Sequence, residues 1–251
     1  MSVVVAALDA SAAARPVVES ALRIAELTGA TVEAVHVGSA TDGLVAHVAR
    51  QFDVPLRLLS GPVEDALLRR INADDVGIAV IGARRESGAR QPAGHTASHL
   101  IERARCPVLV VPPDLKCPQP ARWQRLLMPL EGSAESSQAA ASALGAVMAR
   151  TIDIVVLHVF MPSTAPPMLD RPSRDLELWA DEFLARHGPA DARIECRTGS
   201  IADQIARACD ADHADLVALS WSQDMSAGHA AVIRDVLGRS TIPVLLLPAG
   251  R

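Results

Sequence analysis

The chain has 251 residues and a net charge of −5, and only 2% of its side chains are aromatic, with no tyrosine. Proteins that bind single-stranded nucleic acid stack bases on exposed aromatic rings, and nucleic-acid binders in general present a basic surface. The composition therefore argues against a nucleic-acid partner, while 49% hydrophobic and 21% charged residues are typical of a globular protein.

Strands and helices are predicted to alternate along the first half of the chain. Apolar runs predict strands at 2–8, 31–37, 54–60, 76–82 and 106–111, separated by helices at about 13–28, 42–51, 62–73 and 94–104. Some strands are unbroken apolar runs, as in Val108-Leu109-Val110-Val111, which is expected where helices cover both faces of a sheet. The alternation predicts an α/β fold with a parallel sheet and right-handed crossovers.

The second half of the chain repeats the first. Leu8-Asp9-Ala10-Ser11 recurs as Leu130-Glu131-Gly132-Ser133, and His36-Val37 recurs as His158-Val159 at the same spacing. The strand Pro107–Pro112 recurs as Pro243–Pro248. We therefore predict two domains, residues 1–113 and 122–251, joined by a short proline-containing linker.

The second copy also carries an insertion between its second and third strands. The inserted segment, Phe160 to about Arg174, is rich in proline. It predicts a loop that leads into a helix ending near His187.

The chain shows no signal for export, membrane insertion or disulfide formation. The opening MSVVVAALDA lacks a basic leader, and no apolar run approaches the ~18 residues that a membrane span needs. We therefore expect a cytoplasmic protein with no membrane partner. Four cysteines form no CxxC pair and are expected to be reduced thiols, with the first and third in or beside strands: Cys106, Cys117, Cys196 and Cys209.

Polar residues and glycines gather where strands of the first copy end. An open parallel sheet binds ligands outside the carboxyl ends of its strands, at the point where the strand order reverses. Asp9 and Ser11 follow the first strand, His36 and Val37 close the second, and Gly82 closes the fourth. We expect these residues to lie together at one edge of the sheet.

The last helix of the first copy adds features that suit a phosphate. Gly94 opens this helix, whose free N–H groups and dipole could hold an anion together with the side chains of His95 and Thr96. Arg84 and Arg85, in the loop before it, could pair with phosphate oxygens. The first copy is therefore predicted to contain a nucleotide-phosphate site.

The segments LDAS, VHV, IGARR and GHTASHLIERARCPVLVV, in tandem order, resemble the universal stress protein family across nearly the whole chain. The resemblance implies two doubly wound five-stranded parallel-sheet domains of strand order 3-2-1-4-5, paired within the chain through their last strands, and a homodimer. It also implies binding of ATP or another adenine nucleotide, with Mg²⁺ only as an ion that accompanies it. The implied nucleotide-binding residues are Ala7, Asp9, Ser11, His36, Val37, Gly82, Arg84, Arg85, Gly94, His95 and Thr96.

The glycine motif of the family, G-x-x-G-x9-G-[S/T], is only partly present. In the first copy Arg85 replaces the second glycine, the spacer is one residue short, and His95 stands at the Ser/Thr position. In the second copy Glu131 replaces the aspartate, and Ser220-Trp221-Ser222-Gln223 replaces the first glycine pair. Trp221 could fill the space of an adenine ring. We therefore expect the second copy to be structural.

Simpler interpretations of single residues stay open. Asp9 could cap the helix that follows it, and the arginine-containing loop could be a solvated surface loop. His36 and its repeat His158 could be half-buried residues with satisfied nitrogens. His95 and His99 stand four apart on one helix, but the sequence shows no third ligand, so we predict no metal site.

Three functions from different classes follow from these features. The leading hypothesis is a non-catalytic regulatory protein of the stress response that binds an adenine nucleotide in its first copy. The alternative is a nucleotide-free dimerisation or protein-interaction module of the same fold. An enzyme is disfavoured, with slow ATP hydrolysis at most, because the sequence has no P-loop, nucleophile elbow or HExxH motif.

Overall fold

Strands and helices alternate along most of the described chain in the computed structural model, which describes residues 2–39, 43–83, 93–113, 115, 121–134, 136–138, 140–141, 152–161, 165, 174–189, 191–223 and 230–248. In chain order the elements are β1 (Val3–Ala7), α1 (Ala14–Thr28), β2 (Thr31–Val37), α2 (Gly43–Gln51), β3 (Leu56–Leu59), α3 (Val63–Ile71), β4 (Val76–Gly82), α4 (His95–Arg103), β5 (Val108–Val111), β6 (Arg125–Pro129), β7 (Asp153–Phe160), α5 (Arg174–His187), β8 (Arg193–Thr198), α6 (Ile201–Asp212), β9 (Leu216–Trp221), α7 (Ala230–Arg239) and β10 (Val244–Pro248).

The ten strands form one continuous sheet. Its order is β3-β2-β1-β4-β5-β10-β9-β6-β7-β8, so each half has the expected order 3-2-1-4-5 and the predicted fold class is confirmed. Neighbouring strands within each half are parallel, as in the register of Ala6 with Ala34. The two halves join where β5 and β10 pair in antiparallel fashion, with Leu109 opposite Leu245.

The hydrophobic core lies on both faces of this sheet and crosses the junction of the halves. Alternate residues of a strand point to opposite faces. Leu109 and Leu245 therefore belong to one buried cluster, while Val110 and Leu246 belong to the cluster on the other face. Each of these two clusters contains residues of both halves. Burial of apolar surface therefore stabilises the association of the two halves as well as the fold of each half.

The predicted elements agree with the structure to within about two residues at their ends. β5 begins at Val108 rather than at Cys106, because Pro107 has no N–H to give to a strand ladder. Cys106 lies beside β5 and Cys196 lies within β8, and both thiols are free, as is that of Cys209. Cys117 lies outside the described residues.

The helices are short and pack against the sheet. Those with described bounds run from 9 residues in α2 to 15 residues in α1. None of the helices in the described part of the chain combines the length and the apolar character that crossing a bilayer requires. The predicted helix that follows the insertion is α5, which ends at His187 as expected.

Candidate functional site

A cleft of about 380 Å³ opens at the carboxyl ends of β1, β2 and β4. This is the point in the N-terminal half where the strand order reverses, and such crevices are where doubly wound sheets bind ligands. Its walls come from these strand ends, from the start of α1 and from α3 and α4. The lining residues are Ala7, Leu8, Asp9, Ala13, Ala14, Val17, His36, Val37, Val63, Leu67, Ile81, Gly82, Ala93, Gly94, His95, Thr96, Ala97 and Leu100.

The structure brings most of the predicted site residues to this one cleft. Those that line it are Ala7, Asp9, His36, Val37, Gly82, Gly94, His95 and Thr96. Ser11 stands behind them, where its hydroxyl donates a short hydrogen bond to the Asp9 carboxylate. Arg84 and Arg85 lie outside the described residues.

The segment that carries Asp9 is fixed by hydrogen bonds from neighbouring elements. His36 Nδ1 donates to the carbonyl oxygen of Leu8 at 2.8 Å, and the Leu8 N–H donates to the Val35 carbonyl at 2.9 Å. The N-cap residue of α1 is Ala13, which has no side-chain cap, and its N–H donates to Ser11 Oγ at 3.2 Å. Ser11 therefore accepts an N–H group at the start of this helix.

Two glycines shape the cleft for different reasons. A Cβ atom at Gly82 would lie 3.3 Å from Val17 Cγ2 and 3.4 Å from Ala13 Cβ, so a side chain here would press on the start of α1. Gly94 has a φ of +82° and is the N-cap of α4, a conformation that side-chain-bearing residues rarely adopt. Together they let the backbone at the end of β4 and at the start of α4 approach the cleft closely.

Glu64 lies against the side chains that open α4. Its Oε1 atom is 3.3 Å from His95 Nε2 and accepts a 3.5 Å hydrogen bond from Thr96 Oγ1. Its Oε2 atom is 3.8 Å from His99 Nδ1. No group of three or more His, Cys, Asp or Glu side chains that could hold a metal ion was found within the described part of the chain.

In the C-terminal half, aromatic rings fill the corresponding place. Gly132, which follows Glu131 as Ala10 follows Asp9, lies so close to Phe183 that a Cβ atom would be 2.8 Å from the Phe183 ring. His158 repeats the bond of His36, donating from Nδ1 to the Leu130 carbonyl at 2.9 Å.

The ring of His158 lies against aromatic side chains of α5. Its centroid is 4.7 Å from that of Phe183 and 5.2 Å from that of Trp179. Burial lowers the pKa of His158 from its ordinary value of 6.5, and the nearby charge of His187 acts in the same direction, while the bond to the Leu130 carbonyl opposes the shift. The neutral ring therefore suits this apolar environment.

Polar contacts and larger side chains add to this difference between the halves among the described residues. Ser220, at the place of Gly82, donates from Oγ to the Ser136 carbonyl at 3.1 Å. Ser137 and His187 share a 2.8 Å hydrogen bond. Trp221 is 6% exposed and lies in the same hydrophobic cluster as Ile233. When the two repeats are aligned on Pro107 and Pro243, Ile233 takes the position of the smaller Ala97.

The tandem arrangement agrees with the comparison to known families. The model of the universal stress protein family matches residues 42–112 and 122–248. The chain belongs to this family. No curated protein matches the sequence at a significant level.

Solved structures of low sequence identity share the fold of this universal stress protein over nearly its full length. A functionally unknown protein from Pseudomonas aeruginosa PAO1 has a TM-score of 0.68 at 14% identity, covering 98% of this chain and 92% of its own. A universal stress protein from Archaeoglobus fulgidus DSM 4304 has a TM-score of 0.67 at 12% identity, covering 99% and 96%. The cytoplasmic domain of a prokaryotic cation chloride cotransporter has a TM-score of 0.57 at 12% identity, covering 100% and 96%. At these identities the likeness establishes the fold alone.

Sequence reasoning missed the apolar walls of the cleft and the carboxylate of Glu64. The walls include Val63 and Leu67 of α3 and Leu100 of α4, which the helical pattern alone would assign to a core. Glu64 follows Gly61 and Pro62 at the start of α3. Its position just after a strand end, on the ligand-binding edge of a parallel sheet, was the signal that could have identified it.

Proposed function

We propose that this universal stress protein is a regulatory protein of the stress response that binds an adenine nucleotide, ATP or a related one, in the cleft of its N-terminal half. The observation that carries the proposal is the asymmetry between the halves. One crevice is open at about 380 Å³, within the range of roughly 300–1,000 Å³ that small-molecule sites occupy. The equivalent position in the other half holds Phe183 beside Gly132.

The chemistry of the cleft suits a nucleoside with a phosphate. Val37, Ile81 and Leu100 supply apolar wall, against which a base can be buried. The Asp9 carboxylate can accept hydrogen bonds from ribose hydroxyls. The N-terminus of α4, opened by Gly94, presents backbone N–H groups of the kind that bind phosphate.

We further propose that the protein does no significant catalysis on this nucleotide. Among the described lining residues there is no Lys, Arg, Cys or Ser to stabilise transferred charge or to act as a nucleophile. His36 already donates from Nδ1 to a backbone carbonyl. Any Mg²⁺ would arrive with the nucleotide, and ATP hydrolysis would be slow at most. We place the protein in the cytoplasm.

A matched pair of substitutions tests the site. Val63 lines the mouth of the cleft and is 48% exposed, and Ile201 is the repeat position in the C-terminal half, 38% exposed. Tryptophan should be tolerated at both positions because they are exposed, but only Val63→Trp would occupy the cleft. In calorimetric titrations with adenosine, AMP, ADP and ATP, we expect wild type and Ile201→Trp to bind and Val63→Trp to lose at least about tenfold in affinity.

Two results would contradict the proposal. The first is the absence of binding by wild type to any of these ligands. The second is equal binding by wild type and Val63→Trp, which would move the ligand elsewhere. Rapid steady-state ATP hydrolysis that disappears in Asp9→Asn would overturn only the proposal that the protein does no significant catalysis.

The alternative, a nucleotide-free interaction module, draws on a different observation. Met161, in the insertion, and Leu178, on the helix α5 that follows it, are 59% and 58% exposed, and such side chains could contact a protein partner. A homodimer would have to use another surface than the last strands, because β5 and β10 pair with each other. For either function, we propose that the two domains span residues 1–113 and 122–251. Partner binding that survives Asp9→Ala, in protein that binds no nucleotide, would favour this alternative.

A further inference from the structure

The continuous sheet has two outer edges, β3 in the N-terminal half and β8 in the C-terminal half. Among the described residues, no strand pairs with the outer side of either one. An open edge is a row of N–H and C=O groups that can pair with another chain, and many proteins protect it with a short strand or with charge. β3 has only four residues, and its Arg57 is 58% exposed. β8 has six residues, so it is the longer open edge.

The pairing of β8 with β7 determines which of its backbone groups face outward. The register is unbroken along the whole of β8, and the N–H of Gly199 donates to the carbonyl of Phe160 at 3.2 Å. Successive residues of a strand direct their N–H and C=O groups to alternate sides. The outward-facing groups of β8 are therefore those of Ile194, Cys196 and Thr198.

Charged side chains of opposite sign alternate in a row on β8. Glu195 Oε1 accepts a 3.1 Å hydrogen bond from Arg193 Nη1, and Glu195 Oε2 accepts a 2.8 Å hydrogen bond from Arg197 Nη2. Glu195 and Arg197 remain 26% and 23% exposed. Such a row is complementary to a copy of itself that runs in the opposite direction, because a glutamate of one strand then lies opposite an arginine of the other.

We propose that β8 is a homodimer interface, at which a second copy of the chain pairs with it in antiparallel fashion around a two-fold axis at Cys196. Cys196 then lies opposite Cys196 of the partner subunit, and Ile194 lies opposite Thr198 of the partner subunit. The outward-facing backbone groups of the two strands meet one another in this register. Between these positions Glu195 lies opposite Arg197 of the partner subunit, and the symmetry makes this contact twice.

Other registers replace the attraction by repulsion. Only slips by an even number of residues keep the outward-facing backbone groups opposite one another. A slip by two residues places Glu195 opposite Glu195 of the partner subunit in one direction, and Arg197 opposite Arg197 of the partner subunit in the other. Like charges directly opposite each other destabilise a strand pair. Longer slips leave at most half of the six residues of β8 paired.

Pairing of β8 with itself also closes the assembly. A contact between β8 of one copy and β3 of another would be heterologous, and it would leave an open edge at each end of the pair. Such contacts extend into filaments, whereas an isologous contact stops at the dimer. This interface lies at the far end of the sheet from the N-terminal half and does not depend on nucleotide binding.

The experiment measures the mass of the full chain in solution by sedimentation equilibrium over a series of protein concentrations. We expect wild type to dimerise and Glu195→Arg to weaken the dimer at least about tenfold, because arginine would then face arginine at two symmetric positions. The double variant Glu195→Arg/Arg197→Glu restores opposite charges across the interface and should return to within about threefold of wild type. Arg57→Glu, on the other edge of the sheet, should leave the dimer unchanged.

Cys196→Pro tests the backbone pairing without a change of charge. Proline removes an N–H that faces away from β7, so the pairing of β8 with β7 is kept. The dimer of this variant should dissociate, because the central hydrogen bonds between the two copies would be lost. Thermal unfolding of every variant confirms that it folds.

Three results would overturn the proposed interface. The first is a wild-type protein that stays monomeric at every concentration. The second is a dimer that Glu195→Arg and Cys196→Pro leave as stable as wild type. The third is a dimer that Arg57→Glu weakens as much as Glu195→Arg does. A double variant that stays as weak as Glu195→Arg would overturn the register around Cys196.

Discussion

His36 donates a hydrogen bond from Nδ1 to the carbonyl oxygen of Leu8 at 2.8 Å, across the carboxyl ends of β2 and β1. The bond is buried, with His36 only 7% exposed, and it fixes the backbone directly before Asp9. His158 and Leu130 form the same bond in the C-terminal half. The histidine that the repeat preserves thus shapes the edge of the sheet in both halves.

Replacing His36 by leucine should destabilise the protein. The Leu8 carbonyl would lose its partner inside the protein, and an unsatisfied buried acceptor costs about 1–3 kcal/mol. Urea unfolding followed by circular dichroism measures the change. His36→Gln, which keeps a donor on the side chain, should recover part of the loss. Equal stability of His36→Leu and wild type would show that the bond contributes nothing net.

Phe183 should contribute more stability than any exposed residue of the same helix. It is 8% exposed and packs in a cluster with Met128, Leu130 and Val156. Phe183→Ala should cost about 3 kcal/mol, at the lower end for a buried phenylalanine because the cluster is small.

Leu178 provides the control, since it is 58% exposed on the same helix. Leu178→Ala should change the free energy of unfolding by less than about 0.5 kcal/mol. Similar losses in the two variants would mean that α5 does not close the C-terminal crevice as the contacts of Phe183 indicate.

The stability of the protein should fall on mild acidification because of His158. Burial lowers the pKa of His158 in the folded protein below 6.5, so the unfolded chain takes up this proton more readily. The contribution of the neutral ring is fully present above about pH 6.5 and is lost as the pH falls through the folded-state pKa.

Unfolding free energies measured across this pH range should show a shallower decline in His158→Asn than in wild type. Because the ring is only half-buried, we expect the difference between the two pH profiles to stay below about 1 kcal/mol. His47→Asn, an exposed position on α2, should keep the wild-type profile. A His158→Asn profile parallel to that of wild type would refute the assignment.

The described cysteines should react slowly with thiol reagents while the protein is folded. Burial raises the pKa of Cys106 and of Cys196 to about 11 and that of Cys209 to about 12, so little thiolate exists at neutral pH. In a Cys117→Ser background, labelling by a disulfide reagent should be more than about tenfold slower than for free cysteine. All three thiols should label rapidly in denaturant. Fast labelling of the folded protein would contradict this.

The family, the repeat and the order of elements were determined by the sequence itself. Apolar runs such as Val108–Val111 and the matching run Val244–Leu247 identify strands from local pattern. The strand order 3-2-1-4-5, which the resemblance implied, is confirmed in each half. The sequence also predicted that Asp9, after the first strand, and Gly82, at the end of the fourth, lie at the same edge of the sheet. The reason is that the carboxyl ends of parallel strands meet at one edge.

Only the tertiary structure decided which side chains meet. Glu64 reaches His95 and Thr96, and Phe183 reaches Gly132, although each pair is far apart in the chain. Such contacts depend on how helices pack on the sheet, and local periodicity carries no information about that packing. The open cleft at the end of β1, and the aromatic rings that pack beside Gly132 among the described residues of the other half, both depend on the bulk of residues that only packing brings together.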